Sequence, residues 1–113
     1  MKGTHLGEFE EIVLLAVAGL GEEAYGLAIK TELVEQAKRN VSLSAIHAAC
    51  NRLQDKGFLE ASFGQPSEKR GGKRKKIYRV SLAGERALRE ARELRERMWQ
   101  RIAPGSFQLD WSW

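Results

Sequence analysis

Between residues 64 and 79 the chain carries Lys69, Arg70, Lys73, Arg74, Lys75, Lys76 and Arg79 against a single acid, Glu68. Seven cations and one carboxylate give this stretch +6, whereas the whole chain is +4, so the rest sums to −2. The sequence pI near 9.5 is therefore the effect of one patch. Such a patch suits a polyanion, with DNA or RNA the leading candidates, because long flexible cations reach phosphate oxygens readily. A second set of chemically capable residues lies just upstream. Ser42, Ser44, His47, Asn51 and Arg52 fall opposite Ile46, Ala49, Cys50 and Leu53, which recur at i, i+3, i+4 and i+7. The polar side holds short or hydrogen-bonding groups, not the Glu/Lys mixture of an idle solvent face. Short polar side chains near a helix N-terminus can meet base edges in a major groove about 12 Å wide.

Other chemistries lack their residues. There is no Gly-rich phosphate loop, no nucleophile with a base at motif spacing and no pair of carboxylates suited to one cleft, so an enzyme is not expected. Gly71-Gly72 lies within the basic run and is no dinucleotide fingerprint. Two histidines and one cysteine cannot readily complete a structural zinc site, and no metal or cofactor is expected. Cys50 sits on the apolar side of its pattern and reads as a buried structural thiol; a redox sensor needs an exposed thiolate of low pKa.

The polar face and the basic run must be held by a scaffold, and hydrophobic periodicity outlines it. A first helix is expected from about Leu6 to Ala18, with Leu6, Phe9, Ile12, Val13, Ala16 and Val17 at helical spacing. Leu14 and Leu15 widen its apolar arc, so more than one side should be covered. Gly19 and Gly21 should end it. A second helix is expected over Tyr25 to Ala37. The third begins at Val41-Ser42, where the Ser42 hydroxyl can accept an orphan backbone N–H, and Gly57 is placed to end it in the left-handed conformation. Phe58 to Phe63 and Ile77 to Val80 alternate like strands, and residues 64 to 76 between them read as a long basic loop, which together make a wing.

The last element runs from a Ser81 cap to about Ile102, roughly 33 Å of helix. Ala87, Leu88, Ala91, Leu94, Met98 and Ile102 form a narrow apolar stripe. Around it Glu85–Arg89, Arg89–Glu93, Glu93–Arg97 and Arg92–Glu96 are i, i+4 opposites. So long a helix with so thin a seam calls for a partner helix. Pro104-Gly105 stops it, and the remaining tail carries Phe107, Trp111 and Trp113.

At 113 residues, 42% apolar and 30% charged, the chain has the size and composition of one globular domain. One cysteine excludes an internal disulfide framework and favours a reducing compartment. The longest apolar run, Ile12 to Leu20, is about half a membrane span, and the acidic first turn shows no signal-peptide pattern. No membrane association is expected, and a cytoplasmic location is.

Helix, helix, turn, helix, strand, basic loop, strand and long helix is the order of a winged helix-turn-helix followed by an association helix. Three segments carry a more specific likeness. LGEFEEIVLLAVAGLGEEAYGLAI at 6–29 resembles the first two helices of the PadR-like transcriptional regulators. VSLSAIHAACNRLQDKGFLEA at 41–61 resembles their recognition helix and first wing strand, and RGGKRKKIYRVSLAGERAL at 70–88 their wing tip, second strand and the start of their C-terminal helix. The resemblance spans most of residues 6–99. It implies a homodimeric, usually repressing DNA-binding regulator whose C-terminal helix forms the dimer interface. The chain is similar to the compact branch, some members of which bind flat hydrophobic compounds at that interface. The resemblance also puts Tyr25 close to a phosphate; otherwise Tyr25 merely starts a helix near the core.

The expected fold is thus mainly α with a small two-stranded β wing. Residues 1–80 form a winged helix-turn-helix, 81–103 a C-terminal dimerisation helix and 104–113 a flexible tail. DNA contacts are expected from Tyr25, Ser42, Ser44, His47, Asn51, Arg52, Lys69, Arg70, Lys73, Arg74, Lys75 and Lys76. Arg52 has a rival role, holding Asp55 or Glu60. The dimer interface is expected at Leu88, Ala91, Leu94, Met98, Trp99 and Ile102, and Trp99 serves either as packing or as one wall of a site for a hydrophobic small-molecule effector. The expected function is a sequence-specific repressor acting as a homodimer on a double-stranded operator. The alternatives are a winged-helix module that binds an acidic protein surface, or one that binds RNA.

Overall fold

A computed structural model of the chain describes residues 5–66 and 74–107. Helix α1 spans Glu8–Leu20, α2 Gly26–Gln36, α3 Leu43–Asp55 and α4 Leu82–Gln100; strands β1 Leu59–Pro66 and β2 Arg74–Val80 lie between α3 and α4. A single 3₁₀ turn, Gly21–Glu23, separates α1 from α2. The strands pair antiparallel, Leu59 opposite Val80 and Phe63 opposite Lys76, with an irregularity before the Pro66–Arg74 pair. This is the winged helix-turn-helix expected from the sequence.

Each element ends where its residues require. α1 runs through Gly19 and stops at Gly21, whose φ of 60° needs no Cβ. α2 ends through Lys38, which takes φ 55° so that the Arg39 N–H reaches the Leu33 carbonyl at 3.1 Å. Ser42 caps α3, its Oγ accepting the Ala45 N–H at 3.1 Å, and Gly57 ends it at φ 80°. Ser81 caps α4 by accepting the Gly84 N–H at 3.0 Å, and its hydroxyl donates to the Gly57 carbonyl at 2.6 Å. The start of α4 is thereby tied to the end of α3.

The core unites α1, α2, α3 and the base of the wing: Val13, Leu14, Val17, Ile29, Leu33, Ile46, Leu53 and Tyr78 are buried together. Burying each large side chain contributes about 1.5–3 kcal/mol before entropy. Gly84 lets α4 lie against this body, since a Cβ there would strike the Phe58 carbonyl and sit 2.9 Å from Val80 Cγ1. Ala87 and Leu88 also pack on the core. After that first stretch α4 leaves the domain, held by an Arg95–Glu11 ion pair at 3.0 Å.

Two expectations need correction. The basic segment 64–76 is not all loop: Gly64 to Pro66 continue β1, and Arg74, Lys75 and Lys76 lie on β2, because cross-strand pairing persists past the alternating residues. Of the four ion pairs expected along α4, only Glu85–Arg89 forms among the described residues, at 2.9 Å. Arg95, which belongs to none of the four, reaches Glu11 on α1.

Candidate nucleic-acid interface

The exposed face of α3 carries Ser44, His47 and Asn51, with Ser42 at its head. These are the side chains expected to read DNA, and they stand free of the core because Ile46, Ala49, Cys50 and Leu53 occupy the opposite arc. The Ser42 hydroxyl lies 3.1 Å from that of Ser44. His47 leans on α2: Gly26 stands so close that an added Cβ would lie 3.1 Å from the imidazole Cε1. Glycine at 26 thus sets how near the imidazole approaches the N-terminus of α2.

The wing joins the same surface. Ala24 accepts the Tyr78 N–H at 2.8 Å, and Tyr25 forms a β-bridge with Ile77, so the entry to α2 runs along β2 like a short third strand. That pairing puts Tyr25 and Lys75 on one side, with the Lys75 ammonium 3.8 Å from the centre of the tyrosine ring. A cation over a ring at this distance is an attractive contact, and the ammonium stays beside the α2 N-terminus. Lys76 alternates to the other side, with its Nζ 5.5 Å from the Tyr78 ring, and Arg74 is exposed at the strand's outer end. Tyr25, Ser44, His47, Asn51, Arg74 and Lys75 are contributed by three adjoining elements. Lys69, Arg70 and Lys73, expected as phosphate contacts, lie outside the described residues.

Arg52 pairs with neither Asp55 nor Glu60. Its Nε donates to Glu10 Oε2 at 2.8 Å, while Lys56 Nζ reaches Glu10 Oε1 at 2.6 Å and the Gly7 N–H reaches the same oxygen at 3.1 Å. Lys56 also donates to the His5 carbonyl. Glu10 is buried, which alone would raise its pKa; the hydrogen bonds from Lys56, Arg52 and Gly7 outweigh burial and hold it at about 2. Residue type and spacing alone give Glu10 no partner, since no cation lies three or four residues from it. Its signal was positional, since Glu10 is three, four and seven residues before Val13, Leu14 and Val17, on the arc that packs inward. A carboxylate on a buried arc needs a cation from elsewhere.

Cys50 is fully buried, and burial pushes its thiol up to about 11 despite the opposing charge of Lys76. It is a core group. Burial likewise raises the Tyr78 hydroxyl to about 12, helped by Cys50.

Along α4 the apolar stripe is open. Leu94 is 51% exposed, Met98 61% and Trp99 62%. Ala91 and Ile102 are half-buried, and Leu88 is partly used by the domain's own core. The stripe floors a groove of about 970 Å³ whose wall also includes His5, Leu6, Glu90 and Arg95. Trp99 forms a second opening with Leu15, itself 52% exposed on α1. In the segment expected to be a flexible tail, Phe107 packs edge-on against Trp99 with centroids 5.8 Å apart; Trp111 and Trp113 lie outside the described residues. Among the described residues no helix is long and apolar enough to cross a membrane, and no three His, Cys, Asp or Glu cluster as metal ligands.

A family model for the PadR-like transcriptional regulators matches residues 14–90. Among solved structures, the chain is similar to a PadR-like transcriptional regulator from Bacillus cereus at 22% identity, covering 90% of this chain and 93% of that one with a TM-score of 0.70. It is similar to a PadR-like transcription factor from Bacteroides fragilis at 21% identity, covering 81% and 84% of the two chains with a TM-score of 0.69. It is also similar to hsRosR, solved as a complex, at 29% identity over 87% of this chain and 77% of that one, with a TM-score of 0.65. No curated protein matches the chain.

Proposed function

Because the chain belongs to the PadR-like family of DNA-binding transcriptional regulators, we propose that it is a sequence-specific repressor working as a homodimer on a two-half-site operator. In this reading α3 enters the major groove. His47 and Asn51 make directional hydrogen bonds to base edges, while Ser42, Ser44, Arg52 and Tyr25 fix the helix against phosphates. Lys69, Arg70, Lys73, Arg74, Lys75 and Lys76 neutralise backbone charge beside it. The protein has no catalytic role and acts in the cytoplasm.

The observation that carries the proposal is the exposed stripe on α4. Leu94, Met98 and Trp99 are each more than half exposed on a helix whose other positions are mostly charged. A patch of this kind marks an interface. Leu15 of α1 continues it, so packing α4 of one protomer against α1 and α4 of the other buries both surpluses. Two recognition helices joined in this way fall about one turn of DNA apart. The groove under Trp99 then becomes a site between subunits with room for a flat hydrophobic effector.

Sedimentation of the wild type and of Leu94→Glu at micromolar concentration, with mobility shifts on genomic fragments, tests this. A dimeric wild type, a monomeric or unfolded variant and loss of the two-half-site complex are expected. A monomeric wild type, or a variant that stays dimeric, contradicts the interface.

A further inference from the structure

We infer that Glu10 is a positioning residue for DNA-backbone recognition: it grips one edge of the Arg52 guanidinium and turns the other edge toward a phosphate. The inference rests on the DNA-binding reading above and adds to it a residue far from the polar face of α3 in sequence.

The geometry begins with the acceptor. Glu10 is 7% exposed, and both its oxygens are engaged: Oε1 by Lys56 and the Gly7 N–H, Oε2 by Arg52. The carboxylate is itself fixed, because Gly7 precedes α1 and Lys56 ends α3. Arg52 meets it through Nε alone. Among the described residues no partner takes Nη1 or Nη2, and the side chain remains 52% exposed. A guanidinium presents its donors in a rigid planar fork, so holding Nε fixes where the two outer nitrogens point. That outer edge matches two oxygens of one phosphate.

Its place on α3 agrees. Ser44 and Asn51 lie near the crest of the exposed arc. His47 leans to one flank, where it meets Gly26 of α2, and Arg52 leans to the other, where it meets Glu10 of α1. A helix about 10–12 Å across fills a major groove about 12 Å wide, so its crest meets bases and its flanks meet the two phosphate walls. Arg52 is therefore on a flank that faces backbone. Within the cluster itself, two cations surround one carboxylate and leave a net positive charge. Lysine cannot replace Arg52 in this role, because one ammonium cannot grip Glu10 and present a two-pronged edge outward.

The test is a DNA titration of the full chain at several salt concentrations, on a duplex selected by the wild type and on a mixed-sequence duplex of equal length. Arg52→Ala should weaken binding to both duplexes about tenfold, the scale of one charged hydrogen-bonded contact, and lower the log–log salt slope by about one. Arg52→Lys should lose nearly as much. Glu10→Gln should also weaken binding, but in an Arg52→Ala background it should do nothing further. Arg52→Lys at full affinity overturns the proposal, as does a Glu10→Gln effect of equal size with and without Arg52, which would mean that Glu10 acts through the fold alone. If Glu10→Gln fails to fold, the two Arg52 variants still decide the matter, since that side chain is half exposed. A wild type that binds neither duplex overturns the DNA reading, a result distinct from normal binding that Arg52 does not affect.

Discussion

Replacing Glu10 by glutamine removes a charge and almost no volume, and the loss of stability should depend on pH in one particular way. The carboxylate side chain is 9% exposed, and its pKa falls from an ordinary 4.5 to about 2. Burial raises it, but the hydrogen bonds from Lys56, Arg52 and Gly7 together lower it further. A folded-state pKa below the unfolded one means that the unfolded chain binds more protons in the acid range. The stabilisation is then complete above about pH 4.5 and is lost as pH falls toward 2. At 1.36 kcal/mol per pKa unit it amounts to roughly 3 kcal/mol at neutral pH and roughly 1 kcal/mol at pH 3. Lys56 and Arg52 are 18% and 52% exposed, so both can partly rehydrate when the acid is gone, and the variant should lose about 2–3 kcal/mol. Urea unfolding of wild type and Glu10→Gln, at one protein concentration and several pH values, measures the gap. It should stay constant from pH 7 to pH 5 and close by pH 2. A gap as wide at pH 2 as at pH 7, or none at pH 7, would show that the ionised Glu10 carboxylate is not what the fold gains from this cluster.

Gly84→Ala should lower the melting temperature by several degrees, because the methyl group meets the Phe58 carbonyl and Val80, and overpacking of this kind costs about 1–3 kcal/mol; an unchanged melting curve would contradict the packing of α4. Cys50 should react with a thiol reagent only as fast as the protein unfolds, being fully buried with its thiol held near 11, and rapid labelling of the folded protein would contradict that placement. Alanine at Arg74, Lys75 and Lys76 together should weaken binding to every duplex alike and lower the salt slope by up to about three, and a variant with unaltered slope would remove these strand residues from the phosphate contact.

The sequence shows the fold where pattern and physics coincide. Ser42 and Ser81 are legible as caps because a hydroxyl before an apolar-periodic run has little else to do, and both cap. Gly57 is legible because only a residue without a side-chain penalty ends a helix there. The polar face of α3 is legible because its opposite arc is apolar, and that arc is the core. Other features depend on distances between elements, which periodicity does not encode. Glu10 finds Arg52 and Lys56 more than forty residues away, and Arg95, which has no acid at helical spacing, finds Glu11 across 84. The strands run deep into the wing because backbone pairing continues where side-chain alternation gives way to a run of cations. Leu88 belongs to the apolar stripe of α4 by spacing, yet it also packs on its own domain, because α4 begins there against β2 and α1.

Selecting bound sites from random duplexes, and weighing the complexes that form on them, would decide whether a dimer built on α4 presents two copies of α3 to specific DNA. An inverted repeat with half-site centres about one helical turn apart should be enriched, with two protomers on each site. Enrichment of no sequence at all, or of a single asymmetric element carrying one protomer, would contradict it.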